Sequence, residues 1–225
     1  MGTGPKNRPV PLVNPKPRRA ARAAGFLLVL VLLAGGGAGL MFAPGTPLPE
    51  AWNPARPLRL DDPVTPATGV KLWWASHSAA ACRAALESAG GALVAEALPD
   101  LEESSQCRIS PRLRLSAVGD ATLRPVETSC AVALRMALWE RHGLQPAARA
   151  AFGMGVTEIR HMSSYNCRTI RTGAGPSRRM SLHATAEAID ISGVMLADGR
   201  RIDLTTGWNG PADQAAFLRA ARDSA

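Results

Sequence analysis

The segment SLHATAEAID, residues 181–190, sets an imidazole, His183, and a carboxylate, Asp190, seven positions apart. Both are competent metal ligands, and zinc takes such mixed nitrogen and oxygen sets, keeping one position open for water where it is catalytic. Side chains alternate faces along a strand, so one uninterrupted strand would put the two groups on opposite faces. A turn must therefore separate them, with His183 on a loop and Asp190 on a strand beginning near Ala186. The small residues Ala184, Ala186 and Ala188 allow the close approach this needs. A hydrogen-bonded histidine beside a strand aspartate fits the same spacing, and spacing alone leaves both readings open.

The elements around this segment are helices and strands in irregular alternation. Residues 77–91 carry Cys82 and Leu86 at helical spacing and end in Gly-Gly, a helix with a C-terminal stop. In PRLRLSAV, residues 111–118, Leu113, Leu115 and Ala117 alternate with polar positions and predict a strand. Residues 129–143 place Cys130, Ala133, Leu134, Ala137 and Leu138 on one face, closed by Gly143, and predict a helix. A shorter helix over 146–153, a strand over 155–162, a hairpin around ADGR within 186–204 and a helix over 211–225 follow. No internal repeat is present. The class is α+β, with a small mixed or antiparallel sheet and flanking helices.

The 225 residues suit one ordinary domain plus an N-terminal extension. Six basic residues (Lys6, Arg8, Lys16, Arg18, Arg19 and Arg22) lie before residue 25, where there is no acidic residue. Removing those six from the net charge of +8 leaves +2 for everything else, too little for a phosphate-binding stripe. A nucleic-acid partner is therefore not expected. Residues 26–43 are an apolar run of 18, spanning roughly 27 Å against a hydrocarbon core of about 30 Å. The run reads as a transmembrane anchor or as a signal segment with a small-residue exit at GGGAG. Either way the positive-inside rule keeps the basic tail, residues 1–25, in the cytoplasm and sends the remainder across. Residues 44–69 are rich in proline and predict an extended linker, with docking of Trp52 and Leu58 onto the domain as the alternative. The folded domain is expected from residue 70 to residue 225. Cys82, Cys107, Cys130 and Cys167 show no C-x-x-C and predict two disulfides, with three pairings open.

SLHATAEAID is similar to the S-x-H-x-x-G-x-A-x-D signature of the D-Ala-D-Ala metallopeptidase superfamily. Together with WNPARPL at 52–58, SYNCR at 164–168, LADGR at 196–200 and AAFLRAARD at 215–223, it resembles the bacterial extensin-like protein family. The resemblance implies a zinc-peptidase-like fold, zinc held by His183 and Asp190, and support of the loop by Ser181. It also implies Arg168 as the group that binds a substrate carboxylate or a developing oxyanion, with Tyr165 beside it. A surface pair next to a disulfide is the plainer reading of Arg168 and Tyr165. The implied setting is a single-pass inner-membrane protein with its domain in the periplasm, or a protein secreted there after cleavage, acting on peptidoglycan peptides.

Two departures stand out. Ala186 occupies the signature's glycine position, so a positive φ there would be strained. In the family the final helix is followed by a segment with a closely spaced histidine pair that supplies the third ligand, and another cysteine; this sequence reaches RDSA there. The domain is therefore expected to lack its last segment, and the metal site to lack a third ligand, for which only His161 is a substitute. His77 is placed at the head of a helix and His142 at a helix C-terminus. Three functional readings result: zinc-assisted peptide hydrolysis, a non-catalytic envelope module that binds cell-wall peptides or a partner, or a disulfide-braced structural module with no ligand.

Overall fold

Seven-residue alternation builds the centre of the molecule: Leu113, Leu115 and Val118 point into the core while Arg112 and Arg114 lie on the other face of one strand. The computed structural model describes residues 17–43, 45–89, 93–173 and 175–225. The expected N-terminal tail over residues 1–16, residue 44 of the proline-rich stretch and the Gly-Gly helix stop at 90–91 lie outside them. Two compact units result, one ending at Pro47 and the other spanning Leu48–Ala225.

The first unit holds helix α1, Pro17–Phe42. Its stretch Ala21–Met41 has a mean hydropathy of 2.2 and exposes every side chain from Phe26 to Leu33. At 21 residues, about 32 Å, it is long and apolar enough to cross a membrane by length and composition, a measure that an N-terminal signal also meets. The helix runs further than the 18-residue run because the alanines before it are good helix formers.

The second unit contains α2 (Pro66–Ser76), α3 (Ala79–Glu87), and strands β1 (Leu93–Leu98), β2 (Leu101–Ser104), β3 (Cys107–Ile109), β4 (Arg112–Val118) and β5 (Ala121–Ser129). There follow α4 (Cys130–Trp139), α5 (Gln145–Phe152), β6 (Val156–His161), β7 (Thr169–Thr172), β8 (Gly175–Met180), β9 (Ile191–Leu196), β10 (Arg201–Asp203), α6 (Leu204–Gly207) and α7 (Ala212–Asp223). The main sheet has the order β1-β4-β5-β6-β9-β10, antiparallel except for the parallel β5–β6 pair. The fold is α+β. On the polar face of the sheet Glu127 pairs with both Arg112 and Arg114, and Glu96 with Arg114. Helix α4 is buried nearly all round, from Cys130 through Leu138, so it forms the centre of the core rather than a surface helix.

Several elements depart from the pattern. The helix expected over 77–91 is confined to Ala79–Glu87 because Ser78 caps it, its hydroxyl accepting from Ala81 N. His77 accordingly closes α2 instead of heading α3. The helix expected over 129–143 widens into a π turn at Glu140–Leu144, which contains His142, and then continues as α5. Strand β5 is obscured in the sequence by Pro125, which falls where the β4–β5 register shifts and no ladder donor is required. From Leu48 onward the proline-rich segment is not a free linker: Leu58 and Leu60 are buried in the core, and His142 Nε2 lies 3.1 Å from the Leu60 carbonyl. Trp52 remains exposed.

The cysteines pair as Cys82–Cys130, joining α3 to α4, and Cys107–Cys167, joining β3 to the loop before β7. None is free among the described residues.

Candidate functional site

The chain leaves β8 at Met180 and enters a 3-10 turn, Leu182–Thr185, capped by Ser181, whose hydroxyl accepts from His183 N at 3.3 Å. That turn buries the His183 ring and brings its Nδ1 to 2.6 Å from the Ser164 carbonyl. A carbonyl oxygen only accepts, so Nδ1 carries the proton and Nε2 is left with its lone pair. Nε2 faces Asp190 Oδ1 at 3.3 Å. An imidazole lone pair and a carboxylate oxygen repel each other, so the contact is favourable when a cation, a proton or a metal ion, lies between them. The Asp190 side chain is 56% exposed, leaving the far side of the pair open to solvent.

The separation of seven residues is absorbed in two steps. Ala186 ends the turn in the left-handed region, φ 49°, with its N–H donating to the His183 carbonyl at 3.2 Å. A non-glycine residue there costs about 1 kcal/mol. Asp190 is not on a strand beginning near Ala186: β9 starts only at Ile191, and Asp190 just precedes it, its N–H donating to Ser163 O at 3.0 Å and its carbonyl accepting from Met162 N at 2.8 Å.

Ser164 ties these pieces together. Its single hydroxyl proton goes to the Ala188 carbonyl at 2.7 Å, so the 2.8 Å contact with Thr128 Oγ1 is donated by the threonine. The same threonine proton is shared with the Ala186 carbonyl at 3.3 Å, an oxygen to which Ser129 N also donates. Fully buried Ser164 and Thr128 thus hold both ends of the segment between His183 and Asp190. Neither was indicated by hydrophobic periodicity. The signal that could have found them is a pair of small hydroxyl residues at the end of one strand and just after another, where loops need internal donors. In Ser164→Ala the Ala188 carbonyl and the Thr128 hydroxyl lose their partner while the carbonyl that fixes His183 remains. Stability measured by urea unfolding should fall by about 2 kcal/mol. Ser163→Ala, which removes no side-chain hydrogen bond, should stay within about 0.5 kcal/mol of the parent.

Arg168 is joined to this region through its backbone, since its carbonyl accepts from Ser181 N at 3.0 Å. Its guanidinium contacts only the Thr169 carbonyl, at 3.4 Å, and forms no ion pair among the described residues. Tyr165 turns the other way. Its hydroxyl oxygen is buried without a well-formed hydrogen bond, and burial, followed by the neighbouring Glu103 carboxylate, pushes its pKa above the usual phenol range. The Cys107–Cys167 bridge lies between these two residues in sequence, so one reaches toward the β2–β3 hairpin and the other toward the turn.

His161 does not complete the site. Its Nε2 donates to the Arg124 carbonyl at 2.7 Å, and its place opposite Ile191 puts it one position out of step with Asp190 across the β6–β9 pair. Its Nδ1 is buried and unpartnered. Among the described residues no group of three His, Cys, Asp or Glu side chains is placed to hold a metal ion. The structure therefore brings together His183, Asp190 and the supporting Ser181, with no third such side chain beside them among the described residues.

A protein-family model described as extensin-like protein C-terminus matches residues 80–225. No curated protein and no solved structure matches the chain.

Proposed function

We propose, from the premise that the chain belongs to the extensin-like protein C-terminus family, that Leu48–Ala225 is an envelope domain that holds zinc at His183 and Asp190 and binds peptidoglycan peptides beside them. The apolar helix and the two disulfides point to an extracytoplasmic location, because such bridges persist in oxidising compartments. In this reading α1 is retained as a single-pass inner-membrane anchor, with the basic tail in the cytoplasm and the domain in the periplasm.

The observation that carries the metal reading is the 3.3 Å approach of His183 Nε2 to Asp190 Oδ1 while Nδ1 is committed to Ser164. A backbone carbonyl on the remote nitrogen is a usual way for a zinc-binding imidazole to be oriented, and it leaves the correct lone pair presented. The donor set therefore fits two positions of a tetrahedral site. The chemistry zinc supplies when bound is Lewis acidity towards an amide carbonyl. The chain's own contribution is to hold the imidazole in one tautomer, to leave Asp190 open to solvent, and to keep Arg168 free of competing carboxylates for a peptide's terminal charge. Peptide hydrolysis is the second reading, favoured by that unpaired guanidinium.

The test is zinc content and affinity of the full chain in detergent micelles, beside His183→Ala and Asp190→Ala. One zinc per chain is expected, with affinity lowered about a hundredfold in each variant. No specific zinc in the parent, or unchanged affinity in both variants, would make the cation between the two residues a proton and the pair a plain ion pair.

A further inference from the structure

A cleft of about 800 Å³ lies where the end of α2, strand β3, the first turns of α4 and the turn Leu182–Thr185 meet. Its size falls in the range that small ligands fill. Charges of both signs converge on it: Arg108 from β3, Arg135 from α4, and Glu187 from the segment that follows the turn. None of the three forms an ion pair or side-chain hydrogen bond among the described residues. Elsewhere in the domain Arg112, Arg114, Arg141 and Arg160 have carboxylate partners, the kind of group that Arg108 and Arg135 leave to a ligand. Asp100, also on the wall, is already engaged by the Ser110 hydroxyl at 2.5 Å.

The remaining surface is equally selective. Trp73 forms an apolar side, 53% exposed and braced by His77 with ring centres 4.7 Å apart. The N-terminal turn of α4, through Ser129 and Ala131, adds the positive end of a ten-residue helix to the same cleft.

We infer that this cleft binds a short peptide with at least two carboxylates and one amine, the carboxylates held by Arg108 and Arg135 and the amine by Glu187. The planar guanidinium fork matches a carboxylate in two parallel hydrogen bonds, which a sugar hydroxyl or an amide does not supply. With Asp100 also on the wall, two arginines face two carboxylates, so the ligand must carry charges of both signs. The indole face of Trp73 then covers the peptide's apolar side chains. The proposal rests on the reading of the domain as a binder of cell-wall peptides and names where their charged groups go. The turn that forms one wall also carries His183, so a peptide seated here lies along the element that bears the metal site.

The experiment is calorimetric titration of the full chain in detergent micelles with the pentapeptide Ala-D-Glu-Lys-D-Ala-D-Ala and with its C-terminal amide. Arg108→Gln and Arg135→Gln should each weaken binding of the free acid about tenfold or more. Amidation should weaken binding to the parent by a similar factor, and should have no further effect in the variant that has lost the arginine for that carboxylate. Glu187→Gln should weaken the lysine peptide but not its Nε-acetylated form. The parent chain stripped of metal with a chelator should retain binding, which separates this cleft from the zinc site: zinc binding can fail while the peptide still binds. Absence of peptide binding, affinity unchanged from the parent in both arginine variants, or loss of binding on metal removal alone would each overturn the proposal. The amide peptide needs no substitution, so misfolding of a variant cannot imitate the result.

Discussion

Replacing Cys82 and Cys130 together by alanine should lower the unfolding free energy by about 4 kcal/mol, the loop-entropy term for a closed loop of this length. The two cysteines are 48 residues apart and both are buried in the core. For a unit of this size the loss corresponds to a fall in thermal midpoint of roughly 10 °C. The bridge joins α3 to the first residue of α4, the helix most completely enclosed by the core. The Cys107–Cys167 bridge spans 60 residues and has a similar entropy term, but Cys167 is exposed. Reduction should therefore proceed in two stages, Cys107–Cys167 opening first under mild reductant and Cys82–Cys130 only with unfolding. Mass spectrometry of alkylated samples taken through the unfolding transition would show the order. Simultaneous loss of both bridges from the native state would mean that α3 does not shield Cys82. The first stage alone should also loosen the loop bearing Tyr165 and Arg168, because Cys107 is its covalent tie to the β2–β3 hairpin.

How far the site was legible follows from how local each part is. The β4 alternation, the apolar positions of α4 and the ADGR hairpin depend on neighbours within a few residues, and the local pattern exposes them. The requirement for a turn between His183 and Asp190 was also readable, since strand alternation forbids the alternative. What the alternation could not supply is the partner of His183. That partner is a backbone carbonyl 19 residues away, at Ser164, which has no side-chain signature. The same holds for the Thr128 to Ala186 contact across 58 residues. Docking of Leu58 was readable only as the alternative to a free linker, and it is Leu60 rather than Trp52 that joins it in the core: prolines at 54, 57 and 63 describe an extended chain correctly, but an extended chain can still lie on a core. The unpaired Arg108, Arg135 and Glu187 are separated by 27 and 52 positions, so only the folded arrangement shows that they share one cleft.

Gly119→Ala should cost about 3 kcal/mol, and most of that cost should vanish when Glu140 is also replaced by alanine. Gly119 turns β4 into β5 with φ +57°, and a Cβ there would lie 1.7 Å from Glu140 Oε2. Glu140 cannot simply yield, because it is 2% exposed and its Oε1 accepts from Asp120 N at 3.0 Å and from Gln145 Nε2 at 2.7 Å. Gln145 in turn exchanges two hydrogen bonds with Val156, so the carboxylate links the β4–β5 turn to the start of β6. Displacing it leaves buried donors unmatched, which accounts for about 2 kcal/mol, and the left-handed backbone of alanine adds about 1 kcal/mol. In a Glu140→Ala background the space is already empty, so Gly119→Ala should then cost only the backbone part, about 1 kcal/mol. Equal costs in the two backgrounds would show that the carboxylate does not fill the turn. Burial raises the pKa of Glu140, with the Gln145 and Asp120 hydrogen bonds opposing the shift. A carboxyl raised in the folded state binds its proton more tightly there than when unfolded, so its contribution is full at low pH and declines as pH rises through the raised value. The stability of the parent relative to Glu140→Gln, measured by urea unfolding, should therefore be greater at pH 4 than at pH 7, and the opposite slope would mean that the hydrogen bonds outweigh burial.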